Sequence, residues 1–168
     1  MNLVIRDEQT ADVERIAEMT RAAFLANPHS SHTEHMIVAN LRRADALALS
    51  LVAEIEGELV GHIAFSEVDV SDGATGWFGL GPLTVKPGMQ GKGIGSALVR
   101  AGLERLRQQG AAGCVLLGEP SFYRRFGFAN DPELVLEEAS QEHFLTLPLT
   151  GTGAHGVVTY HPAFFNGC

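Results

Sequence analysis

The sequence predicts an α+β fold: a mixed, mostly antiparallel sheet flanked by helices, in a single domain spanning 1–168. Three observations carry this. Two helical stretches open the chain, strand-like runs follow from Leu47, and one strand–turn–helix–strand unit comes next, built around a glycine-rich turn. The 168 residues (18.0 kDa) suit one core, and 45% hydrophobic against 19% charged residues indicates a globular chain.

Leu3-Val-Ile-Arg6 reads as a short first strand. Thr10 is expected to cap a helix, with Asp12 and Glu14 in the first turn where the dipole favours acids. Val13, Ile16, Ala17, Thr20 and Phe24 give it an apolar stripe, and Asn27-Pro28 stops it. Ser31-His-Thr-Glu34 fits a capping box for a second helix presenting Ile37, Leu41 and Ala44. Leu49 to Ile55, the Glu56-Gly57 turn and Leu59 to Phe65 predict an antiparallel hairpin. Ser71-Asp-Gly73 turns again, and Trp77 to Val85 is the next strand. Its Gly79 and Gly81 point to a bulge or a close approach.

After that strand comes Lys86-Pro-Gly-Met-Gln-Gly-Lys-Gly-Ile-Gly95. A helix follows with Ile94, Leu98, Ala101, Leu103 and Leu106 on its apolar face, ending near Gly110. Ala112 to Leu117 suits a central strand covered on both faces. Pro120 opens a brief helix to Phe126, and Val135-Leu136 and Val157 to Tyr160 read as the last strands.

Composition excludes several classes. No apolar run is long enough to span a bilayer, and the first residues lack a secretory pattern, so a cytoplasmic protein is expected. A net charge of −8 argues against a nucleic-acid-coating protein. Cys114 and Cys168 are too few for a disulfide framework, and Cys114 reads as a core residue. His29, His32 and His35 lie three apart but without the cysteines or HExxH pattern of a metal site, so no metal is expected. His155 and His161 read as surface or loop residues.

The turn Gln90-Gly-Lys-Gly-Ile-Gly-Ser96 joins strand to helix, where free backbone N–H groups make an anion site. Its alternating glycines let a diphosphate sit on the backbone, with Lys92 adding charge at the rim. A P-loop would need Ser or Thr after Lys92, where Gly93 stands. A dinucleotide fingerprint would need Gly at Ser96 and an array of βαβ units, although Glu119 lies at about the distance of its acidic residue.

A third template, Gln/Arg-x-x-Gly-x-Gly/Ala, matches Gln90-Gly-Lys-Gly93-Ile-Gly95 at every fixed position. With Leu83-Thr-Val85-Lys-Pro87 before it, Gly95-Ser-Ala-Leu98 after it, and Tyr123-Arg-Arg-Phe-Gly127-Phe128 beyond the next strand, the chain resembles the GNAT superfamily of acyl-CoA-dependent N-acyltransferases. The resemblance covers residues 80 to 128 closely and the first eighty loosely.

The resemblance implies acetyl-CoA as co-substrate, its pyrophosphate on the backbone of Gly91, Lys92, Gly93, Ile94, Gly95 and Ser96. It also implies backbone contacts from Leu83, Thr84 and Val85 to the pantetheine and acyl carbonyl, and Tyr123 as general acid. A phenol near pKa 10 suits a thiolate leaving group of roughly 8.5. The base is open, because Trp77 to Val85 has no acidic residue. Glu119 comes first, then Glu67 and His62.

The expected reaction is direct acetyl transfer to a primary amine, of a small molecule or a protein, with no nucleophile of the chain intervening. The alternative is a GNAT-like module that binds acyl-CoA without transferring. Family members are often dimers, which leaves a homodimer open. Between Pro82 and Phe128 stand seven basic and two acidic residues, net +5, within a chain of −8. A polyanionic donor and a cationic acceptor entering from different sides would account for that division.

Overall fold

A computed structural model describes residues 2–25, 27, 30, 32–137, 139–150 and 153–165. Its elements in chain order begin with β1 (Leu3–Asp7), a 3-10 turn (Thr10–Asp12), α1 (Val13–Leu25) and α2 (Glu34–Arg43). The strands β2 (Leu47–Ile55), β3 (Glu58–Val70) and β4 (Trp77–Val85) follow, then α3 (Ile94–Gln108) and β5 (Gly113–Leu117). The chain continues through α4 (Pro120–Tyr123), a 3-10 turn (Arg124–Phe126), β6 (Leu134–Val135), β7 (Phe144–Pro148), β8 (Gly156–Tyr160) and α5 (Pro162–Phe165).

The main sheet runs β1-β2-β3-β4-β5-β7, antiparallel at every step except the parallel β4–β5 pair. The far end of β3 carries β8, Val68 to Val70 facing Tyr160 to Val158, and β6 lies parallel to β8. The expected mixed, mostly antiparallel sheet is therefore present. Glu56 and Gly57 turn the β2–β3 hairpin with φ of +51° and +80°.

Local expectations give way where neighbours outbid them. The first helix is entered from Gln9 instead of Thr10: Asp12 turns back to accept the Gln9 N–H at 2.7 Å and is also locked to Arg6 at 2.8 Å. Ser31 of the expected capping box lies outside the described residues. The helix starts at Glu34 after Thr33, and His32, at φ +62°, is not helical. The Glu34 carboxylate takes the Ser30 hydroxyl, 2.6–2.7 Å from both of its oxygens. Strand β7 and helix α5 go beyond the elements the sequence pattern predicts, and β3 extends five residues past Phe65 to meet β8.

Side chains sort by sheet face. Leu51, Ile63, Phe65 and Cys114 face α3 with Ile94, Leu98 and Leu103. On the opposite face, Val52 and Ala64 pack beneath Ile16 and Met19 of α1 and Val38 of α2, and Trp77, Val115 and Tyr160 form a separate cluster. Burying each such aliphatic side chain contributes about 1.5–3 kcal/mol. Cys114 is wholly buried, which pushes its thiol pKa up and leaves it a core residue.

One irregularity organises the rest. β4 pairs with β5 only from Trp77 to Gly79, although β5 continues along β7 to Leu117 and β4 continues along β3 to Val85. Past Gly79 the two strands diverge, and their facing edges are unpaired. Over the same stretch β4 carries a bulge: Ile63 faces Leu83 and Phe65 faces Leu80, so Gly81 and Pro82 together oppose Ala64. Gly79 stands where the Tyr160 ring lies against the strand, and a Cβ there would come within 2.7 Å of it. Both glycines thus do what their placement in a strand suggested.

Candidate active site

The divergence of β4 and β5 opens toward the turn before α3. Gly91 and Gly93 sit at φ of +78° and +83°, where a side chain would be strained, and nothing lies within 4 Å of where their Cβ atoms would be. Gly93 caps α3 without a side-chain hydrogen bond, so the first-turn N–H groups face an open cavity of about 500 Å³. Gln90, Gly91, Gly93, Ile94, Gly95 and Ser96 line it, with Leu83 and Val85 along one wall.

Two of the residues expected here are placed differently in detail. Lys92 is not among the residues lining this cavity, whereas Arg125 is, its guanidinium stacked 4.8 Å over the Phe122 ring. Thr84, buried with its hydroxyl 3.4 Å from that of Thr20, is likewise not among the residues lining this cavity. The basic pair next to Tyr123 is the sequence signal for Arg125, but only packing shows which arginine turns inward.

A second cavity, about 320 Å³, lies on the other side of β4 between α1, α2 and α5. Leu83 lines both cavities, so they meet at the bulge. Tyr123 lines the second cavity, next in sequence to Phe122 of the first, and is held by edge contacts to Phe122 (4.8 Å) and Phe128 (6.0 Å). Burial pushes its phenol up to about 12, and pushes Tyr160 up as well, so both hydroxyls remain protonated donors at neutral pH.

Glu34 lines the same cavity and is the acidic residue found among its described lining. The sequence alone does not single it out, because the capping-box pattern gives its carboxylate a purely local use. None of the three candidate bases named from the sequence joins Tyr123. Glu119 is 66% exposed at the start of α4, with Ser121 Oγ at 3.4 Å and His143 Nε2 at 4.0 Å, and it lines neither cavity. Glu67 is exposed and borders a different hollow beside His161.

His62 is fully buried beneath α1 and α2, and burial pushes it down to about 4 despite nearby Glu8. Its Nε2 lies 2.7 Å from Ser50 Oγ, which donates to Glu8 at 2.6 Å, and Glu8 in turn pairs with Arg42 at 2.7 Å. Since the serine has one proton to give, His62 Nε2–H donates, and Nδ1 is the atom left without a partner among the described residues.

The remaining histidines stay apart. His29 lies outside the described residues, His32 sits 3.3 Å from the Asn27 carbonyl, and His35 stands on α2. Among the described residues no group of three or more His, Cys, Asp or Glu is arranged to hold a metal ion. His155 pairs with Glu133 at the surface, and His161 Nδ1 accepts the Ala163 N–H at the start of α5. No described helix is long and apolar enough to cross a membrane.

The sheet thus splits beside an open helix start, and a second cavity borders the same split strand. The acetyltransferase (GNAT) family model matches residues 13–128, and the chain belongs to that family of acyl-CoA-dependent enzymes. It is similar to the uncharacterized N-acetyltransferase YhbS of Escherichia coli K12, 36% identical over 170 residues covering 96% of this chain and 98% of that protein. Among solved structures it resembles a GNAT family acetyltransferase from Brucella melitensis in complex with acetyl-CoA. That match has a TM-score of 0.86 and 45% identity, with 97% of this chain and 98% of the other covered. It also resembles Escherichia coli YhbS in complex with CoA, with a TM-score of 0.90, 34% identity, and 99% and 93% covered.

Proposed function

We propose that the chain, acting as one acyltransferase domain, moves an acetyl group from acetyl-CoA directly to a primary amine. The observation that carries this is that Leu83 lines two cavities, one floored by the α3 turn and the other lined by Glu34 and Tyr123. The complexes of the two relatives with acetyl-CoA and CoA support placing the donor in the first cavity.

In this reading the pyrophosphate rests on the N–H groups of Gly91 to Ser96, with Arg125 at the wall. Pantetheine follows the unpaired edge of Leu83, Thr84 and Val85. The amine arrives through the second cavity as an ammonium drawn to Glu34, which takes its proton; near neutral pH only about one alkyl amine in a thousand is free without such help. The amine nitrogen attacks the thioester carbon, the C–N bond forms, and collapse of the tetrahedral adduct breaks the C–S bond.

Tyr123 meets the departing sulfur. With its phenol at about 12 and the thiol near 8.5, complete proton transfer is uphill by roughly 3.5 units, so the phenol donates a hydrogen bond as charge builds on sulfur. Two protons leave the ammonium nitrogen: Glu34 passes the first to solvent before attack, and the second, shed by the adduct nitrogen, reaches the sulfur through solvent to give the free thiol.

Thiol release from acetyl-CoA, corrected for hydrolysis, tests the proposal across a panel of primary amines. Amine-dependent release is expected. Binding of coenzyme A without release for any amine would leave a non-transferring module.

A further inference from the structure

Resting on that reading, we infer that the acceptor is a small monoamine with an apolar body, an arylalkyl or branched alkyl amine. The second cavity, about 320 Å³, is at the small end of ligand pockets. Apart from Glu34 and two phenols, its described lining is hydrocarbon: Phe24, Ile37, Leu80, Leu117 and Phe164 among them. The described side chains of the lining therefore offer one carboxylate for one ammonium and, the two phenols apart, apolar surface for the rest of the molecule.

The same inventory excludes other amines by charge. A diamine or polyamine would carry a second ammonium into the cavity with no second carboxylate among the described lining to meet it, and an unpaired charge is strongly disfavoured there. An α-amino acid would bring a carboxylate, yet no Lys or Arg is among the described lining residues. A polyhydroxylated amine would strand hydroxyls against phenylalanine and leucine. The Glu34 carboxylate is already steadied by Ser30, which fixes the polar end of the cavity. Phe164 and Tyr160, their rings tilted at 57° with centroids 4.7 Å apart, form an aromatic wall along its side.

Calorimetric binding to the CoA-saturated protein, run beside thiol release with acetyl-CoA, separates this inference from transfer itself. The probes are 2-phenylethylamine, isoamylamine, putrescine and phenylalanine. The expected result is that the first two bind at least ten-fold more tightly than the last two. Glu34→Gln should lose that binding ten-fold or more, and Glu104→Gln, an exposed position on α3, should keep it. Binding of 2-phenylethylamine without thiol release would support the acceptor class while contradicting transfer. Equal or tighter binding of putrescine or phenylalanine, with or without turnover, would overturn the acceptor class, as would no binding of any probe.

Discussion

His62 shows how a single buried residue sets a property of the whole chain. Its folded pKa, near 4, lies below the ordinary 6.5, so the unfolded chain binds more protons between those values. Its contribution is complete above pH 6.5 and is lost as pH falls toward 4. From pH 7.5 to pH 5 the loss is about 2 kcal/mol. His62→Leu, which leaves Ser50 paired with Glu8, should flatten denaturant-measured stability across that range; an unchanged slope would contradict the assignment. Arg42 and Ser50 hold Glu8 below the usual carboxylate range against the upward push of burial, so its effect appears only at lower pH. The sequence carries the identity of His62 but not its role. Alternation along β3 puts residue 62 on one face, and only the packing of α1 and α2 over that face turns a candidate base into a structural neutral imidazole.

At the scale of elements, the α3 turn is the most legible part of the chain, because glycine spacing, helical periodicity and the open helix start are all local signals. The sequence pattern bounds β4 at Trp77 and Val85, as observed, and places Ile94 first on the apolar face of α3, where the helix begins. The four-residue α5 has too few turns to show periodicity, and β7 is buried on both alternations at its start, which hides its period. The α2 entrance is ambiguous for a different reason: three hydroxyls, of Ser30, Ser31 and Thr33, stand near Glu34 in sequence, and the Ser30 hydroxyl binds its carboxylate. The turn also yields a clean pair of variants. Gly93→Ala imposes the left-handed φ on a side chain, costing about 1–2 kcal/mol, with no steric clash. Gly93→Glu adds a negative charge where the diphosphate is placed. We expect coenzyme A affinity to fall at least ten-fold further in Gly93→Glu than in Gly93→Ala by calorimetry. Equal losses would rule out an anion site at this turn.

Across the whole molecule, the basic segment and the acidic remainder acquire positions. Among the described residues, two of the seven basic residues are met by acids from elsewhere, Arg105 by Asp7 at 2.6 Å and Lys86 by Glu58 at 2.8 Å. Arg125 lines the cavity before α3, while Glu34 lines the second cavity across β4. Opposite charges thus sit on opposite sides of one split strand, a division that net charge alone conceals. The divergence beyond Gly79 depends on long-range pairing of β5 with β7, so glycine placement hints at it and only the assembled sheet reveals it. Everything proposed for the reaction depends on the two substrates meeting at Tyr123, and the kinetic effect of Tyr123→Phe probes that meeting point itself. We predict kcat lowered by about 10²-fold with coenzyme A binding unchanged, and a wild-type rate that shows no loss from phenol ionisation below about pH 11. A variant with full kcat, or one that loses coenzyme A binding and kcat together, would show that Tyr123 does not serve the departing thiol.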